Sequence, residues 1–214
     1  MFSNGLLLAQ EYTGMLESDD IGKEGKADHA KTPFFVQVGV VITDGSMFND
    51  SSQNSGTYPF THTVNFEQDD ISSTGVIAAI GVKLRQGKRA GTQFIGVIKS
   101  GTDSINSTSL RYTQFGSALE LYMGSQHLQF LLGTLLSIGT SEHPAKAVDS
   151  LYYFALEPYI GLNINITDNF TLVTKLGYEW RDYEKVSYND HTTSHHTKLD
   201  AYTVTGTLAL QYNF

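Results

Sequence analysis

The sequence has 214 residues, of which 40% are hydrophobic and 17% charged, with a formal net charge of −8 and no cysteine. The absence of cysteine excludes a disulfide scaffold, a thiolate metal cluster and a cysteine nucleophile, and only 14 lysines and arginines argue against a nucleic-acid partner, which needs a basic face. No apolar run approaches the ~20 residues of a membrane-spanning helix. Low charge with 20 glycines, 12 tyrosines and 12 phenylalanines points away from helices.

The first 33 residues precede the regular pattern of the chain. Met1–Asn4 carries no positive charge, and the apolar run over residues 6–9 is too short for the core of an export signal. If the protein is exported, we expect its signal to have been removed already. We predict residues 1–33 to be a poorly structured periplasmic extension.

From residue 34 onward the hydrophobic pattern has a period of two, which places alternate side chains on opposite faces of a strand. Eight strands are predicted on this basis, in chain order Phe34–Thr43, Thr74–Arg85, Gln93–Lys99, Arg111–Met123, Leu128–Ile138, Phe154–Ile166, Phe170–Arg181 and Tyr202–Phe214. Several are far longer than the ~5–6 residues usual in globular sheets. The pattern leaves the two faces of Gln93–Lys99 unassigned.

The predicted connections between these strands alternate in length. Long or intermediate ones cover residues 44–73, 100–109, 139–151 and 182–200, and short ones cover 86–90, 124–127 and 167–169. This alternation is typical of an up-and-down barrel with tight turns at one rim and large loops at the other. We therefore predict an all-β fold, an eight-stranded antiparallel barrel over residues 34–214.

The composition of each face predicts that the apolar side meets lipid. The polar face carries charges in the middle of strands and glycines that suit a crowded lumen, namely Lys83, Glu120, Glu157, Lys175 and Glu179 with Gly39, Gly81, Gly116, Gly161 and Gly177. Aromatic residues collect near the strand ends, with Tyr152, Tyr178, Trp180 and Tyr202 at one rim and Phe170, Tyr212 and Phe214 at the other. A transmembrane barrel with a packed polar lumen explains both features.

Four segments carry a resemblance to a known family. The final strand ends in Phe214 with Tyr212, Leu210 and Leu208 in register, and further segments are residues 65–84, 158–169 and 177–180. They resemble eight-stranded outer-membrane proteins of the OmpA and opacity types. The resemblance implies a bacterial outer membrane, contact with its lipid and lipopolysaccharide, and recognition of the strand ending at Phe214 by the barrel assembly machinery.

Two carboxylates are the first candidate for chemistry. If residues 167–169 form a turn, Glu157 faces Glu179 and Gly161 faces Lys175. Facing acids suit acid–base catalysis, whereas a buried charge network that includes Lys175 and Arg181 is the structural alternative. We favour the network, since a closed eight-strand lumen offers a substrate no obvious entry.

Histidines and an Asp-Ser pair are the remaining candidates. His191, His195 and His196 could hold a transition metal, but their spacing matches no closed site and a solvated loop is favoured. His62 with Asp103-Ser104 resembles the layout of lipid A palmitoyltransferase, as does a possible N-terminal helix face formed by Leu8, Tyr12, Met15 and Leu16. The surrounding residues do not match that enzyme. We predict no catalytic residue, no cofactor and no metal.

The long connections are predicted to meet the exterior. Within residues 44–73, Tyr58, Phe60, Val64 and Phe66 alternate, so the second half could extend the following strand above the membrane. Such an edge can recruit a partner strand, and residues 182–200 are similar. The predicted function is a non-enzymatic surface protein for envelope integrity, adhesion or ligand interaction. The alternatives are a narrow pore for ions or small solutes and a lipid A-modifying enzyme.

Overall fold

The computed structural model describes residues 34–55, 62–86, 90–105, 108–142, 151–183, 186–190 and 193–214. The predicted extension, residues 1–33, lies outside this part of the chain, so its conformation stays a prediction. Among the described residues no helix is long and apolar enough to cross a membrane.

The described chain forms one closed antiparallel sheet. Its strands are β1 (Phe34–Ser55), β2 (His62–Gln86), β3 (Ala90–Ile105), β4 (Thr108–Gly124), β5 (Leu128–Glu142), β6 (Leu151–Asn165), β7 (Phe170–Tyr183), β8 (Val186–Asp190) and β9 (Thr193–Asn213). Neighbours along the chain pair from β1 to β7, β9 pairs with β7, and β1 pairs with β9 to close the barrel. The predicted up-and-down barrel is confirmed.

The short strand β8 does not widen the barrel. The pairing between β7 and β9 ends at Asp182 opposite Asp200. The beginning of β9 pairs with β8 instead, from Asp190 opposite Thr193 to Val186 opposite Thr197. β8 therefore continues the position of β7 beside β9. The transmembrane barrel has eight strand positions, as the periodicity predicts.

The predicted loops at residues 44–73 and 182–200 are strand over most of their described length, while the predicted extension of the strand that follows the first of them is confirmed, because β2 begins at His62. β1 and β2 stay paired from Phe34 opposite Val82 to Asn54 opposite His62, and β9 begins at Thr193. Residues 100–109, predicted as an intermediate loop, also belong mostly to β3 and β4. Polar residues hid the other extensions, because above the membrane neither face of a strand needs an apolar pattern.

The extra length lies on one side of the barrel. β2 pairs with β3 only from Ile71 onward, and β9 pairs with β7 only from Asp200 onward. Beyond these rows β8, β9, β1 and β2 continue as a four-stranded segment, which we call the projecting sheet. The opposite end, where residues 125–127 and 166–169 connect strands, is called the turn end.

The outer surface of the barrel is apolar between two aromatic belts. Exposed side chains in the middle include Val38, Val40, Val76, Ile80, Leu119, Leu132, Leu136, Ile160, Leu176 and Leu208. Tyr152, Tyr178 and Tyr202 are exposed towards the projecting end, and Phe170, Tyr212 and Phe214 at the turn end. Ten residues at ~3.3 Å each, tilted by ~40°, span about 25 Å, the height of the apolar band of membrane barrels. The predicted apolar exterior and both aromatic belts are confirmed.

The lumen is filled by side chains. An apolar cluster around Phe35, Ile77 and Ile95 occupies its middle, and a second around Met47 and Tyr153 lies towards the projecting end. The predicted lack of space for side chains in the lumen is seen at Gly81, where a Cβ would overlap the ring of Phe35. The glycine makes room for an aromatic ring that fills the interior.

The structure also assigns the strand whose faces the sequence leaves open. Gln93, Ile95, Val97 and Lys99 are buried in the lumen, whereas Phe94 and Ile98 are exposed at 45% and 48%. The apolar pair Ile95 and Val97 therefore faces inward, against the trend of the other strands. This exception brings Lys99 into the interior.

Candidate functional sites in the lumen and at the projecting end

Arg181 on β7 lies at the centre of the first lumen network. Its Nε donates to Glu179 at 2.9 Å, and its Nη1 donates across the lumen to Asp103 on β3 at 2.8 Å. The guanidinium lies 5.2 Å from the ring centroids of both Tyr112 and Tyr153. Two carboxylates and two aromatic faces thus hold a cation that is 1% exposed.

Lys99 on β3 joins this network to the glutamates of β6 and β7. Its Nζ forms an ion pair with Glu157 and lies 3.9 Å from Glu179. Glu157 also accepts from the hydroxyl of Thr205 at 2.7 Å, and Glu179 accepts from Gln114 at 2.8 Å. Each glutamate is therefore surrounded by donors, which a desolvated carboxylate requires.

A second network lies nearer the turn end, around Glu120 on β4. One oxygen of Glu120 accepts from Lys175 at 2.5 Å and from the hydroxyl of Tyr159 at 2.5 Å, and the other accepts from Gln93. Lys175 also lies 4.8 Å from the centroid of the Tyr159 ring. The bonds from Tyr159 on β6 and Lys175 on β7 cross the lumen, whereas Gln93 lies on the neighbouring strand β3.

The predicted pairing of the two glutamates is confirmed in register. Leu156 lies opposite Trp180, and Tyr159 opposite Gly177, which places Glu157 opposite Glu179. Arg181 joins their network as predicted. Lys175 does not, because it pairs with Glu120.

Lys99 was missed by the sequence reasoning, although a signal existed. Gln93, Lys99 and Asp103 are separated by even numbers of residues, which places them on one face of a strand. The bulky residues at positions 94–98 hid this spacing. Four buried carboxylates and three cations meet in the two networks, all within the described lumen.

The lumen networks give little support to acid–base chemistry. Ion pairs from β3 to β6, from β3 to β7 and from β4 to β7 bridge the described interior at successive heights. Each carboxylate is held by cations or hydrogen bonds, so its oxygens are committed to the barrel itself. The arrangement fits the predicted structural network.

Asp103 and Ser104, the pair that resembles part of the palmitoyltransferase layout, lie on opposite faces of β3. Asp103, predicted in a loop, is a fully buried strand residue that accepts from Ser73, Arg181 and, at 3.5 Å, Ser141. Ser104 is exposed on the opposite face. The prediction that this pair lies in a loop is wrong, while the side chain of His62 lies outside the described residues.

The histidine cluster is described only in part. His191 lies outside the described residues, whereas His195 and His196 belong to β9 opposite Tyr188 and Ser187. The described side chains contain no group of three or more metal-ligating residues. The prediction of a solvated loop stays a prediction for His191. It is wrong for His195 and His196, whose backbone belongs to β9.

A small charged group marks the base of the projecting sheet. Lys198 donates to Asp200 at 2.8 Å, and this hydrogen bond raises the pKa of Lys198. Asp200 lies opposite Asp182, and next to them Phe48, Tyr178 and Tyr202 form an aromatic group with centroids 5.7 and 6.4 Å apart. Charges above aromatic rings mark the level at which the apolar exterior ends.

A closed eight-strand barrel with an apolar exterior, two aromatic belts and a packed polar lumen is a bacterial outer-membrane β-barrel. The outer-membrane protein OprG from Pseudomonas aeruginosa has a similar fold, with a TM-score of 0.56 at 13% identity over 86% of this chain and 97% of its own. Neisserial surface protein A matches with a TM-score of 0.48 at 13% identity, over 87% of this chain and 100% of its own. The outer-membrane protease OmpT from Escherichia coli matches with a TM-score of 0.36 at 10% identity, over 89% of this chain and 99% of its own.

Sequence comparisons add nothing to this assignment. No protein-family model matches the chain, and no curated protein sequence is significantly similar to it. The match to OprG, at 13% identity, establishes the fold alone.

Proposed function

We propose that this protein is a non-enzymatic surface protein of the bacterial outer membrane, whose projecting sheet binds a partner outside the cell. The observation that carries the proposal is the continuation of β1, β2, β8 and β9 beyond the rows they share with β3 and β7. Spanning the membrane does not require this length, since ~9–11 residues per strand suffice.

The orientation of the barrel supports an exterior position for this sheet. Short connections and both ends of the barrel chain, Phe34 and Phe214, lie at the turn end. Outer-membrane barrels place short turns in the periplasm and longer segments outside. The strand ending at Phe214 is then the segment that the assembly machinery recognises, as the resemblance implies.

The projecting sheet offers a strand edge. In the described register, residues 62–70 of β2 pair with β1, and pairing with β3 begins at Ile71. A strand edge can accept an extended segment of another protein through main-chain hydrogen bonds. This edge includes the strand extension predicted from the sequence, and it supports the proposal that the projecting sheet mediates adhesion.

A narrow pore is the weaker alternative. Lys99 reaches Glu157, Lys175 reaches Glu120, and Arg181 reaches Asp103, each across the interior. An eight-strand barrel leaves little space beyond such side chains. Ion flow would require these buried pairs to separate.

Adhesion of bacteria that carry a shortened hairpin tests the proposal. Replacing residues 49–67 with Asn-Gly joins the paired residues Phe48 and Gln68 through a tight turn. We expect binding to coated surfaces or host cells to fall to the level of cells without the protein. Gln126→Ala at the turn end is the matched control and leaves adhesion unchanged, whereas full adhesion by the shortened protein would overturn the proposal.

Two measurements test the alternatives. Planar-bilayer recordings of the purified barrel are expected to show no steady conductance, and a steady single-channel current would favour the pore. Lipid A from expressing and deleted cells is expected to give identical mass spectra. A mass difference of an acyl group would establish an enzyme.

A further inference from the structure

The outer edge of β2 in the projecting sheet has no partner among the described strands. Residues 62–70 pair with β1 on one side, while pairing with β3 on the other side begins only at Ile71. At ~3.3 Å per residue, this edge is about 30 Å long. The main-chain N–H and C=O groups along it can form a ladder with an added strand.

The charge of the chain is unevenly distributed along its length. Residues 44–70, which include the projecting parts of β1 and β2, contain five aspartates and glutamates and no lysine or arginine. Residues 83–89, where β2 reaches the turn end, contain four lysines and arginines and no acidic residue. The negative charge of the chain is therefore concentrated towards the projecting end.

Two of these carboxylates lie on the outer face of the sheet, beside the edge. Asp70 on β2 is exposed and lies opposite Ser46 on β1. Asp44 is also exposed and lies diagonal to Asp70, since its own partner on β2 is Ser72. Diagonal positions of an antiparallel pair are about 7–8 Å apart, so a cation on a strand added at this edge is attracted by both carboxylates.

The same charges argue against a second copy of this chain as the added strand. Barrels that share a membrane have the same orientation, so β2 of one copy would run parallel to β2 of the next. Pairing in register would place Asp69 beside Asp69 and Asp70 beside Asp70. Like charges in such positions are destabilising, and charges on an exposed edge protect identical strands from pairing. The edge therefore favours a strand of opposite charge.

We propose that the projecting sheet binds an extended cationic segment of another protein, which adds to β2 along residues 62–70. Basic side chains at alternate positions of that segment lie on the same face as Asp44 and Asp70, while its main chain continues the sheet. This inference rests on the proposed adhesive function and deepens it, because it names the chemical class of the partner. Adhesion through another surface of the projecting sheet would contradict the inference and leave the proposed function intact.

Binding of a synthetic peptide to the full chain in nanodiscs of zwitterionic lipid tests the inference. The probe is a labelled peptide of alternating lysine and threonine that is long enough to cover the edge, and empty nanodiscs are the blank. One control peptide has glutamate in place of lysine. The other keeps the lysines but has an N-methyl group on every amide, which removes its main-chain donors. We expect the lysine peptide to bind about tenfold more tightly than either control.

Variants of the protein locate the site. The shortened-hairpin protein, which lacks residues 49–67, is expected to lose the binding. Asp70→Lys is expected to weaken binding of the lysine peptide about tenfold and to strengthen that of the glutamate peptide. Asp168→Lys, in an exposed turn at the opposite end, changes the net charge equally and is expected to leave both affinities unchanged.

A milder variant keeps the test valid if charge reversal disturbs folding. Asp70→Asn preserves the size of the side chain and is expected to weaken binding about fivefold, the effect of losing one ion pair at a surface. All variants are checked for an unboiled, faster-migrating band on SDS gels.

Four outcomes would overturn the inference. Equal binding of the N-methylated peptide would mean attraction by charge without strand addition. Equal effects of Asp70→Lys and Asp168→Lys would mean attraction to the protein as a whole. No binding of the lysine peptide, together with adhesion that the shortened hairpin abolishes, would remove this inference and leave the proposed function in place. A dimer of the full chain that the shortened-hairpin protein does not form would assign the edge to a second copy.

Discussion

Lys99 shows how one side chain holds the lumen together. It starts on β3 and forms an ion pair with Glu157 on β6, while Glu179 on β7 lies 3.9 Å away. Its side chain is 3% exposed, and those of the two glutamates are 5% and 1% exposed. Two carboxylates in facing positions repel each other strongly in such surroundings, and the ammonium group between them offsets this repulsion.

Removing this lysine is expected to destabilise the barrel. Lys99→Met leaves buried carboxylates short of a cation, and the expected loss in the free energy of unfolding is about 3 kcal/mol. Urea titration of the barrel in lipid vesicles measures this loss. Lys99→Met with Glu157→Gln is the matched double variant and should recover part of it, while an unchanged stability in Lys99→Met would show that Arg181 alone satisfies the glutamates.

At the scale of the strand, one face packs inside the lumen and the other meets lipid. On β5, Leu131, Leu135 and Ser137 are at most 4% exposed in the lumen, while Leu132 and Leu136 are 54% and 49% exposed. Side chains of the same chemical type thus lie on both faces. What separates the faces is the absence of charge outside, since inward positions can pair their charges across the barrel and outward positions meet only lipid.

A charge introduced on the outer face tests this assignment. Leu136→Arg places a guanidinium near the middle of the apolar band, with an expected cost of about 2–4 kcal/mol. Leu128→Arg is the control at the turn end, where the side chain can reach water and the expected cost is about 0–1 kcal/mol. Equal costs in vesicle unfolding titrations would show that β5 does not cross a bilayer.

The whole molecule is held together by closure. β1 and β9 pair along nearly their full length, from Phe35 opposite Asn213 to Ser55 opposite Thr193. The barrel therefore has no open edge within the apolar band, and its main-chain groups pair with one another where no water is available. Detergent cannot easily separate strands that have no free edge.

Closure predicts heat-modifiable migration. An unboiled sample of the refolded barrel in SDS is expected to run faster than a boiled one, because the closed barrel stays compact until heating separates its strands. The same shift is expected in outer-membrane fractions. A single unchanged band in the soluble fraction would instead indicate a barrel with its apolar face turned inward.

Much of the candidate site could be derived from spacing. The turn at residues 167–169 places Glu157 opposite Glu179 by counting alone, and the structure has the same register. Asp103 could not be placed in this way, because it follows a strand whose faces were ambiguous and lies among polar residues. Its partners on β2, β5 and β7 are 30, 38 and 78 residues away, and a contact at such separation leaves no local pattern.

The sequence by itself determined the barrel, its lipid-facing surface and the inward position of most charges. It could do so because a strand in a bilayer must alternate, with side chains at every second position meeting lipid. The tertiary structure alone decided the ion pairs across the lumen and the extent of the projecting sheet. Ion pairs depend on which strands face each other across the barrel. Outside the membrane the alternation of Val64 and Phe66 indicated the extension of β2, whereas the polar extensions of β1 and β9 are revealed by main-chain pairing alone.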